Sequence, residues 1–252
     1  MTKESKNNVK GIILAGGLGT RLHPLTSVVS KHLLPIYDKP MIFYPLTILV
    51  DAGIKDIMII TNKGDKDNFK KLLGSGMDWG INITYKIQDK PEGIAQALVL
   101  SDDWAKDSTI ALILGDNLFF GPKLNSLIKN GIKNNTGATI FCIESNNPER
   151  FGVIDFDQNF NPISIEEKPK IPKTNWIVTG LYIYNNKAAD YARSLRKSKR
   201  GEYEITDLNI KYLNNSELKT IKLESNFSWL DTGTFDSLLE ASNYVQKSNH
   251  KK

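Results

Sequence analysis

Short apolar runs alternate with stretches of helical spacing through the first half of the chain. Runs of strand length that end at glycine or polar residues predict strands at 9–15, 56–61, 81–88 and 109–114. Apolar residues at intervals of three and four predict helices between them at 41–52, 65–73 and 93–100. Strands that alternate with helices in this way predict a mostly parallel sheet with helices on both faces.

The second half has shorter strands joined by Asn, Asp, Gln and Pro. Strands are predicted at 138–143, 152–156, 163–167, 176–184 and 218–223. Helices are predicted at 185–195, 202–213 and 234–246. No repeat or linker divides the chain, so we expect one continuous domain over residues 10–246. The polar ends, 1–9 and 247–252, are expected to form a flexible N-terminal tail and a polar C-terminal tail.

Composition places the chain among globular proteins. Apolar residues make up 40% of the 252 and charged residues 24%, which excludes a disordered chain, a collagen-like repeat and a coiled coil. No apolar run approaches the ~20 residues that a bilayer span needs. Residues 1–10 contain no apolar stretch of the kind found in a secretory signal. We therefore expect no membrane association.

The net charge of +5 suggests the kind of ligand rather than the fold. The lysines are scattered instead of clustered with interleaved aromatic residues, so no nucleic-acid partner is expected. A mild positive field favours a polyphosphate ligand. The single cysteine, Cys142, lies in the apolar run 138–143 and is expected to be a buried core thiol, which is consistent with a cytoplasmic protein.

A glycine-rich loop follows the first predicted strand and is the strongest local signal for function. Gly16, Gly17 and Gly19 come directly after apolar residues and precede Thr20 and Arg21. Glycine lets backbone N–H groups approach a phosphate without a clash, and arginine adds a planar, permanently charged fork of donors. The alternative is a tight turn between a strand and a helix. We favour a phosphate-binding loop.

Two familiar phosphate-binding motifs do not fit this loop. A dinucleotide fingerprint that starts at Gly17 needs glycine at position 22, where the chain has Leu22. A Walker A loop needs Gly-Lys followed by Ser or Thr, a combination that the sequence lacks. The loop therefore matches neither of these two motifs.

Lys31 and His32 follow the glycine loop on a segment where Pro35 disfavours helix. Lys31 is either a solvated lysine or, because the glycine loop is close in sequence, a contact for a second phosphate. His32 is either a general base or, as we favour, a packed or exposed histidine without a catalytic role.

Asp116 and Asp231 each follow an apolar run and precede turn-like residues. Asp116 and the glycine loop both follow predicted strands, and parallel sheets bind ligands at the carboxyl ends of their strands. Carboxylates at such an edge suit Mg²⁺, which takes one or two of them together with phosphate oxygens and water. From the residues alone, each aspartate fits a helix or turn cap equally well.

A series of motifs extends from the glycine loop nearly to the end of the chain. After GIILAGGLGTRLHPLT and SKHLLPIYDKPMIFYPL come IQDKPEGIAQA, LGDNLFFG, PERFGV, EEKP, VTGLYIY, RGEYEITD and WLDTGT. Over residues 10–245 this series resembles the glucose-1-phosphate thymidylyltransferases, a branch of the sugar nucleotidyltransferases. The resemblance implies a Rossmann-like three-layer α/β/α fold with a mostly parallel, mixed central sheet and an inserted β-rich, sugar-binding subregion. It also implies a nucleotide-binding half at about 10–135 and a sugar-binding half at about 136–246.

The resemblance implies a reaction in which glucose 1-phosphate attacks the α-phosphorus of dTTP and releases pyrophosphate. Because the attacking oxygen is already anionic, this reaction needs alignment and charge neutralisation rather than a general base. Mg²⁺ is the implied cofactor, with Asp116 and Asp231 as its ligands. The implied catalytic cations are Arg21, Lys31 and Lys168.

Binding roles follow from the same resemblance, residue by residue. The residues expected to line the triphosphate are Gly16, Gly17, Gly19 and Thr20. Those expected to recognise the base are Gln88 and the backbone of Gly93, because an amide can both donate to and accept from a pyrimidine edge. Those expected to bind sugar hydroxyls are Glu167 and the backbone of Gly152 and Val178.

Three features depart from the longer members of the family. His32 stands where glutamine is common, Phe151 stands where tyrosine is common, and the chain ends soon after the helix that follows Asp231. We expect the shorter end to affect regulation and assembly, and we expect a homo-oligomer, either a dimer or a tetramer. Two alternatives stay open: the same chemistry with UTP, CTP or another sugar 1-phosphate, and a non-catalytic nucleotide-sensing subunit.

Overall fold

The computed structural model describes residues 8–249, so the ends of the two predicted tails, 1–7 and 250–252, lie outside the described residues. The strands are β1 (Val9–Ala15), β2 (Pro35–Ile36), β3 (Lys39–Pro40), β4 (Asp56–Thr61), β5 (Asn82–Ile87), β6 (Thr109–Leu114), β7 (Asn117–Phe120), β8 (Ala138–Glu144), β9 (Gly152–Phe156), β10 (Pro162–Glu167), β11 (Trp176–Tyr184), β12 (Leu218–Lys222) and β13 (Ser228–Asp231). The α-helices are α1 (Phe43–Asp51), α2 (Lys66–Leu73), α3 (Gln96–Leu100), α4 (Asp102–Ala105), α5 (Leu124–Lys133), α6 (Ala188–Arg193), α7 (Ile205–Asn214) and α8 (Phe235–Asn249). Within the described part of the chain, no helix has both the length and the apolar character needed to cross a membrane.

One mixed sheet of nine strands forms the centre of the molecule. Its order is β10-β9-β11-β6-β1-β4-β5, and β8 and β12 extend it from β11. The strands of the first half, β6, β1, β4 and β5, are parallel to one another. In the second half, β11 runs antiparallel to β6 and β8, and β9 and β10 form an antiparallel hairpin. The predicted α/β fold, with a mixed sheet and a β-rich second half, is confirmed.

Alternate residues of the central strands face two separate cores. On β1, Ile12 packs with residues of α3, α6 and α7, whereas Ile13 packs with residues of α1, α2 and α5. Successive strand residues point to opposite faces, so a sheet covered on both sides needs nearly continuous apolar runs such as β6. Cys142 lies fully buried in the first core, as predicted, and burial raises the pKa of its thiol.

A two-stranded antiparallel ribbon, formed by β7 and β13, lies outside the main sheet and is not predicted by the sequence pattern. Its strands are short and come from distant parts of the chain, so no local periodicity marks their pairing. In this ribbon Asp231 lies opposite Asn117, the residue that follows Asp116. The ribbon therefore brings the two candidate metal ligands together.

Some predicted boundaries are corrected by the structure. Helix α3 begins at Gln96 rather than at residue 93, because Gly93 has a φ of 106° and lies against the backbone of Tyr203. Val9 pairs with Thr109 and belongs to β1 rather than to the N-terminal tail. Helix α8 continues its buried face through Val245 and ends at Asn249, so residues 247–249 are helical rather than part of a polar tail.

Candidate active site

The carboxyl ends of β1 and β6 meet at one edge of the sheet and border a cleft. Leu14 pairs in register with Leu114, and the N–H of Gly115 donates to the carbonyl oxygen of Leu14 over 2.9 Å. This pairing places the glycine loop beside Asp116. The cleft has a volume of about 520 Å³. The predicted site residues that line it are Gly17, Arg21, Lys31, Asp116, Gly152, Glu167, Lys168, Val178 and Asp231.

The glycine loop turns the chain at the end of β1. Gly19 has a φ of 63°, and Thr20 begins a single 3₁₀ turn. Lys31 lies along this loop: a Cβ added at Gly17 would be 3.7 Å from Lys31 Cε, and one at Gly19 would be 3.2 Å from Lys31 Cβ. Loop and lysine therefore form one surface, as expected of groups that contact the same polyphosphate.

Asp116 and Asp231 are held in neighbouring positions by hydrogen bonds. Lys31 Nζ bonds to Asp116 Oδ2, and Asn117 Nδ2 donates to Asp116 Oδ1 over 3.0 Å. Thr232, which follows Asp231, donates to the carbonyl oxygen of Asp116 from its N–H over 3.1 Å and from its Oγ1 over 2.8 Å. The segments that carry the two carboxylates are therefore tied to each other.

The two carboxylates differ in their electrostatics. Burial by itself raises the pKa of Asp116, but the Lys31 ammonium opposes it and brings that pKa down to about 2. Burial and the charge of Asp116 raise the pKa of Asp231, against opposing effects of Lys31, Arg21 and Arg150. Like charges in one confined place repel each other, so a cation shared by both carboxylates would be stabilising.

The donor set fits a magnesium ion that is held partly by its substrate. Among residues 8–249, no group of three or more His, Cys, Asp or Glu side chains is arranged to hold a metal ion. Mg²⁺ commonly takes one or two protein carboxylates and completes its coordination with phosphate oxygens and water. Asp116 and Asp231 supply two such carboxylates at the same cleft. A metal ion here would therefore be completed by bound phosphates.

His32 is packed in the floor of the cleft. Its side chain is 1% exposed, and a Cβ at Gly115 would lie 2.7 Å from His32 Cδ2. Its Nδ1 is 3.0 Å from Ser30 Oγ. Burial, with a smaller contribution from Lys31, lowers the pKa of His32 to about 3, so the ring is neutral at physiological pH. The burial of His32 agrees with the expectation that it is a packed histidine rather than a general base.

Replacing His32 with Gln should remove part of the acid sensitivity of the fold. Between its ordinary pKa of 6.5 and its folded pKa of about 3, only the unfolded chain binds a proton at His32. The free energy of unfolding of the native protein therefore falls by up to about 1.4 kcal/mol per pH unit through this window as the pH falls. Urea unfolding of both proteins at pH 7.5 and pH 5 measures this difference. An equal loss of stability in the His32→Gln variant would contradict it.

A second cluster in the cleft surrounds Glu167 and unites the residues predicted to bind sugar. Gly152 pairs with Glu167 in the hairpin of β9 and β10. A Cβ at Gly152 would lie 3.6 Å from Glu167 Oε2 and 3.9 Å from Val178 Cβ. Thr206 Oγ1 donates to Glu167 Oε2 over 2.5 Å. The three predicted residues are therefore neighbours on one wall.

Two cations accompany Glu167. Lys168 Nζ is 3.4 Å from Glu167 Oε1, and Lys168 itself has a φ of 45°. Arg200 Nη2 donates to Glu167 Oε1 over 3.2 Å and to the buried Glu204 at Oε2 over 2.7 Å. Sequence reasoning assigned no role to Arg200, Thr206 or Glu204, although all three belong to the motif RGEYEITD. In that motif an arginine is followed by glycine and by acidic residues, and this pattern could have identified the three as candidate site residues.

Aromatic packing joins the ribbon to the second cluster. Phe151 and Trp229 meet edge to face with ring centroids 4.9 Å apart. Trp229 Nε1 donates to Asn117 Oδ1 over 2.8 Å. Both rings line the cleft, as does Arg150 beside them. This contact links the wall that carries Glu167 to the segment that carries Asp116.

The predicted base-binding residues lie behind the glycine loop rather than on the wall of the cleft. Gln88 follows β5 and is 3% exposed, and a Cβ at Gly16 would be 2.3 Å from Gln88 Oε1. Gly93 lies against the backbone of Tyr203, where a Cβ would be 2.4 Å from a carbonyl oxygen. Neither of these residues, nor Gly16, Gly19 and Thr20, belongs to the lining of the cleft.

Comparison with known proteins identifies the family of the chain. A family model described as "Nucleotidyl transferase" matches residues 10–248. The glucose-1-phosphate thymidylyltransferase of Neisseria meningitidis is 51% identical over 238 residues, which cover 94% of this chain and 83% of that protein. The chain belongs to the sugar nucleotidyltransferase family. It is therefore a nucleotidyltransferase enzyme, and the resemblance drawn from its motifs is confirmed.

Further members of this family share the sequence and the fold. The glucose-1-phosphate thymidylyltransferase of Mycobacterium tuberculosis H37Rv is 50% identical over 94% of this chain and 82% of its own length. A Bacillus anthracis protein assigned as a glucose-1-phosphate thymidylyltransferase, solved in complex with sucrose, superposes with a TM-score of 0.87 at 42% identity. That superposition covers 94% of each chain. The nucleotidyltransferase fold thus extends over nearly the whole chain.

Proposed function

We propose that the protein transfers the thymidylyl group of dTTP to α-D-glucose 1-phosphate and releases pyrophosphate, giving dTDP-glucose. The observation that carries this proposal is the grouping of Asp116 and Asp231 with Lys31 and Arg21 beside the glycine loop. Identity of about one half to thymidylyltransferases supports the choice of dTTP and glucose 1-phosphate over other substrates of the family.

In the proposed reaction, an oxygen of the sugar phosphate forms a bond to the α-phosphorus of dTTP. The bond between the α-phosphorus and the oxygen that bridges to the β-phosphorus breaks, and its electron pair leaves with pyrophosphate. The attacking oxygen carries a negative charge at neutral pH, so no side chain has to remove a proton. The protein must align two anions and offset their repulsion.

Cations at the glycine loop offset the repulsion between the two phosphates. Lys31 is positioned along the loop, and Arg21 packs on Gly233, where an added Cβ would be 2.5 Å from Arg21 Nη2. Both cations reach the same part of the cleft as Asp116 and Asp231. Those two carboxylates would hold Mg²⁺, which would supply further charge neutralisation at the reacting phosphates. Lys31 would then exchange its contact with Asp116 for a contact with phosphate.

The sugar phosphate is proposed to bind at the cluster around Glu167. An acceptor carboxylate beside the backbone of Gly152 and Val178 suits sugar hydroxyls, and Lys168 supplies a cation for the phosphate. The first half of the domain, about 10–135, would thus hold the nucleotide and the second half, about 136–246, the sugar. We further propose a cytoplasmic location and a homo-oligomeric assembly.

Product analysis tests the proposed function. The purified protein with glucose 1-phosphate, dTTP and Mg²⁺ should release pyrophosphate and form dTDP-glucose, and chelation of divalent ions should stop both. UTP should be used to some extent, because one methyl group changes binding by only about 1–3 kcal/mol. No pyrophosphate release across a panel of nucleoside triphosphates and sugar 1-phosphates would contradict the proposal.

Replacing Glu167 with Gln should weaken sugar binding selectively. The amide keeps the shape but loses the charge that Arg200 and Lys168 bond to, and charge-assisted hydrogen bonds contribute about 1.5–3 kcal/mol each. We expect KM for glucose 1-phosphate to rise about tenfold or more while KM for dTTP stays within twofold. Steady-state kinetics checks this, with the exposed neighbour Glu166→Gln as the matched control. Equal changes in both KM values would contradict the assignment.

A further inference from the structure

A relay of hydrogen bonds begins at Gln88 and ends at an ion pair. Gln88 Nε2 donates to Gln96 Oε1 over 2.6 Å. Gln96 Nε2 donates to Glu92 Oε2 over 3.2 Å, and the N–H of Glu92 donates back to Gln96 Oε1 over 3.2 Å. Lys197 Nζ pairs with Glu92 Oε1 at the outer end of the relay. Each side-chain amide in the relay is thus hydrogen-bonded to a neighbour whose role as donor or acceptor is known.

The carboxylate of Glu92 fixes the direction of the whole relay. A carboxylate only accepts hydrogen bonds, and a backbone N–H only donates them. If the Gln96 amide were rotated by half a turn, its carbonyl would face the Glu92 carboxylate and its NH₂ would face the Glu92 N–H. Both contacts would be repulsive, so Gln96 has to present its carbonyl to Gln88. Gln88 must in turn present its NH₂ to Gln96.

The carbonyl of Gln88 is consequently turned toward the glycine loop. A Cβ at Gly16 would lie only 2.3 Å from Gln88 Oε1, so the glycine makes room for this oxygen. No donor within residues 8–249 bonds to it. The fully enclosed side-chain atoms without a partner in that range are Thr61 Oγ1 and Asn209 Nδ2, so Gln88 Oε1 is still reached by solvent. An acceptor and the second N–H of the amide are left for a ligand.

An amide held in one orientation distinguishes pyrimidine bases by their edges. Thymine and uracil present the imide pair, an N3–H donor beside a carbonyl acceptor, which match the Gln88 carbonyl and its second N–H. Cytosine presents the reverse pair, an N3 acceptor beside an amino donor. Pairing with cytosine in the same position would need the Gln88 amide to rotate by half a turn, and the relay opposes that rotation.

We infer that Gln96 and Glu92 are positioning residues that fix the amide of Gln88 and make the site select imide bases over cytosine. This inference rests on the proposed function, which places the base at Gln88. Neither residue needs to touch the nucleotide. Their effect appears in the choice between bases, whereas damage to the fold would lower activity with every nucleotide alike.

The test compares kcat/KM for dTTP, UTP and dCTP in the native enzyme and in two relay variants. Gln96→Met keeps the length of the side chain and removes its hydrogen bonds, and Glu92→Gln replaces an acceptor by a group that also donates. In Gln96→Met the ratio of kcat/KM for dTTP over dCTP should fall about tenfold, as expected for loss of about one buried hydrogen bond. In Glu92→Gln it should fall by about threefold, a smaller factor because the backbone N–H of residue 92 still donates to Gln96. The ratio for dTTP over UTP should stay within twofold, because both bases present an imide.

The outcomes separate this inference from the function on which it rests. A native enzyme that releases no pyrophosphate from any nucleotide would overturn both. A native enzyme that uses dTTP, together with relay variants whose preference over dCTP is unchanged, would overturn the inference alone. If Gln96→Met does not fold, the isosteric Glu92→Gln variant decides: its preference for dTTP over dCTP should fall by about threefold, and an unchanged preference would overturn the inference.

Discussion

Replacing Asp116 with Asn should lower kcat for pyrophosphate release by about a thousandfold or more, which is the scale on which loss of a charged group at a reacting phosphate acts. The substitution keeps the shape of the side chain and its bond from Asn117, but it removes the charge that Lys31 pairs with and that a divalent cation requires. Repulsion with Asp231 is relieved at the same time. The pKa of Asp116 is lowered to about 2, so its charge stabilises the fold on balance, and the melting temperature should fall while the variant still folds.

The measurement is single-turnover formation of dTDP-glucose over a range of Mg²⁺ concentrations. Asp103→Asn is the matched control, because Asp103 is exposed on α4 and does not line the cleft. The native protein and this control should respond alike. If Asp116→Asn turned over at the native rate, Asp116 could not be a ligand of a catalytic metal ion.

Replacing Lys31 with Met should lower kcat by about a hundredfold to a thousandfold, comparable with removal of one preorganised donor from a transition state. Methionine keeps the apolar stem that packs along Gly17 and Gly19 but lacks the ammonium. Loss of the ammonium also removes what holds the pKa of Asp116 near 2, so that pKa should rise. The activity that remains should fall at a higher pH than in the native enzyme as the solution is acidified.

Rate profiles between pH 5 and pH 9 test both parts of this expectation. Lys63→Met, at an exposed position on the loop before α2, is the control and should behave as the native protein does. A Lys31→Met variant with native kcat would show that this lysine serves only to neutralise Asp116 in the resting protein.

Local patterns were sufficient to predict the sheet and its functional edge. Continuous apolar runs such as β1 and β6 predict strands buried on both faces, and glycines directly after β1 predict a loop that backbone N–H groups line. Parallel strands share one carboxyl edge, so the glycine loop and Asp116 are expected at the same edge of the sheet. That β1 and β6 are direct neighbours there is shown by the structure.

Other parts of the site depend on contacts between distant segments. Asp231 comes to Asp116 through the short ribbon of β7 and β13, whose pairing has no local signal. Arg200 is held in the cleft by ion pairs with Glu167 and Glu204. A local sequence pattern cannot predict these pairs. The sequence predicts only that Gln96 lies in a helix. The orientation of its side-chain amide is set by hydrogen bonds with Glu92 and Gln88.

The crystal structure of a complex with Mg²⁺, glucose 1-phosphate and the α,β-methylene analogue of dTTP tests the central claim, since the bond that should break is then inert. Asp116 and Asp231 should both lie about 2.0–2.1 Å from one metal ion. An oxygen of the sugar phosphate should lie about 3–3.5 Å from the α-phosphorus, in line with the methylene carbon. A nucleotide bound away from the glycine loop, or a metal ion that neither aspartate contacts, would contradict the account.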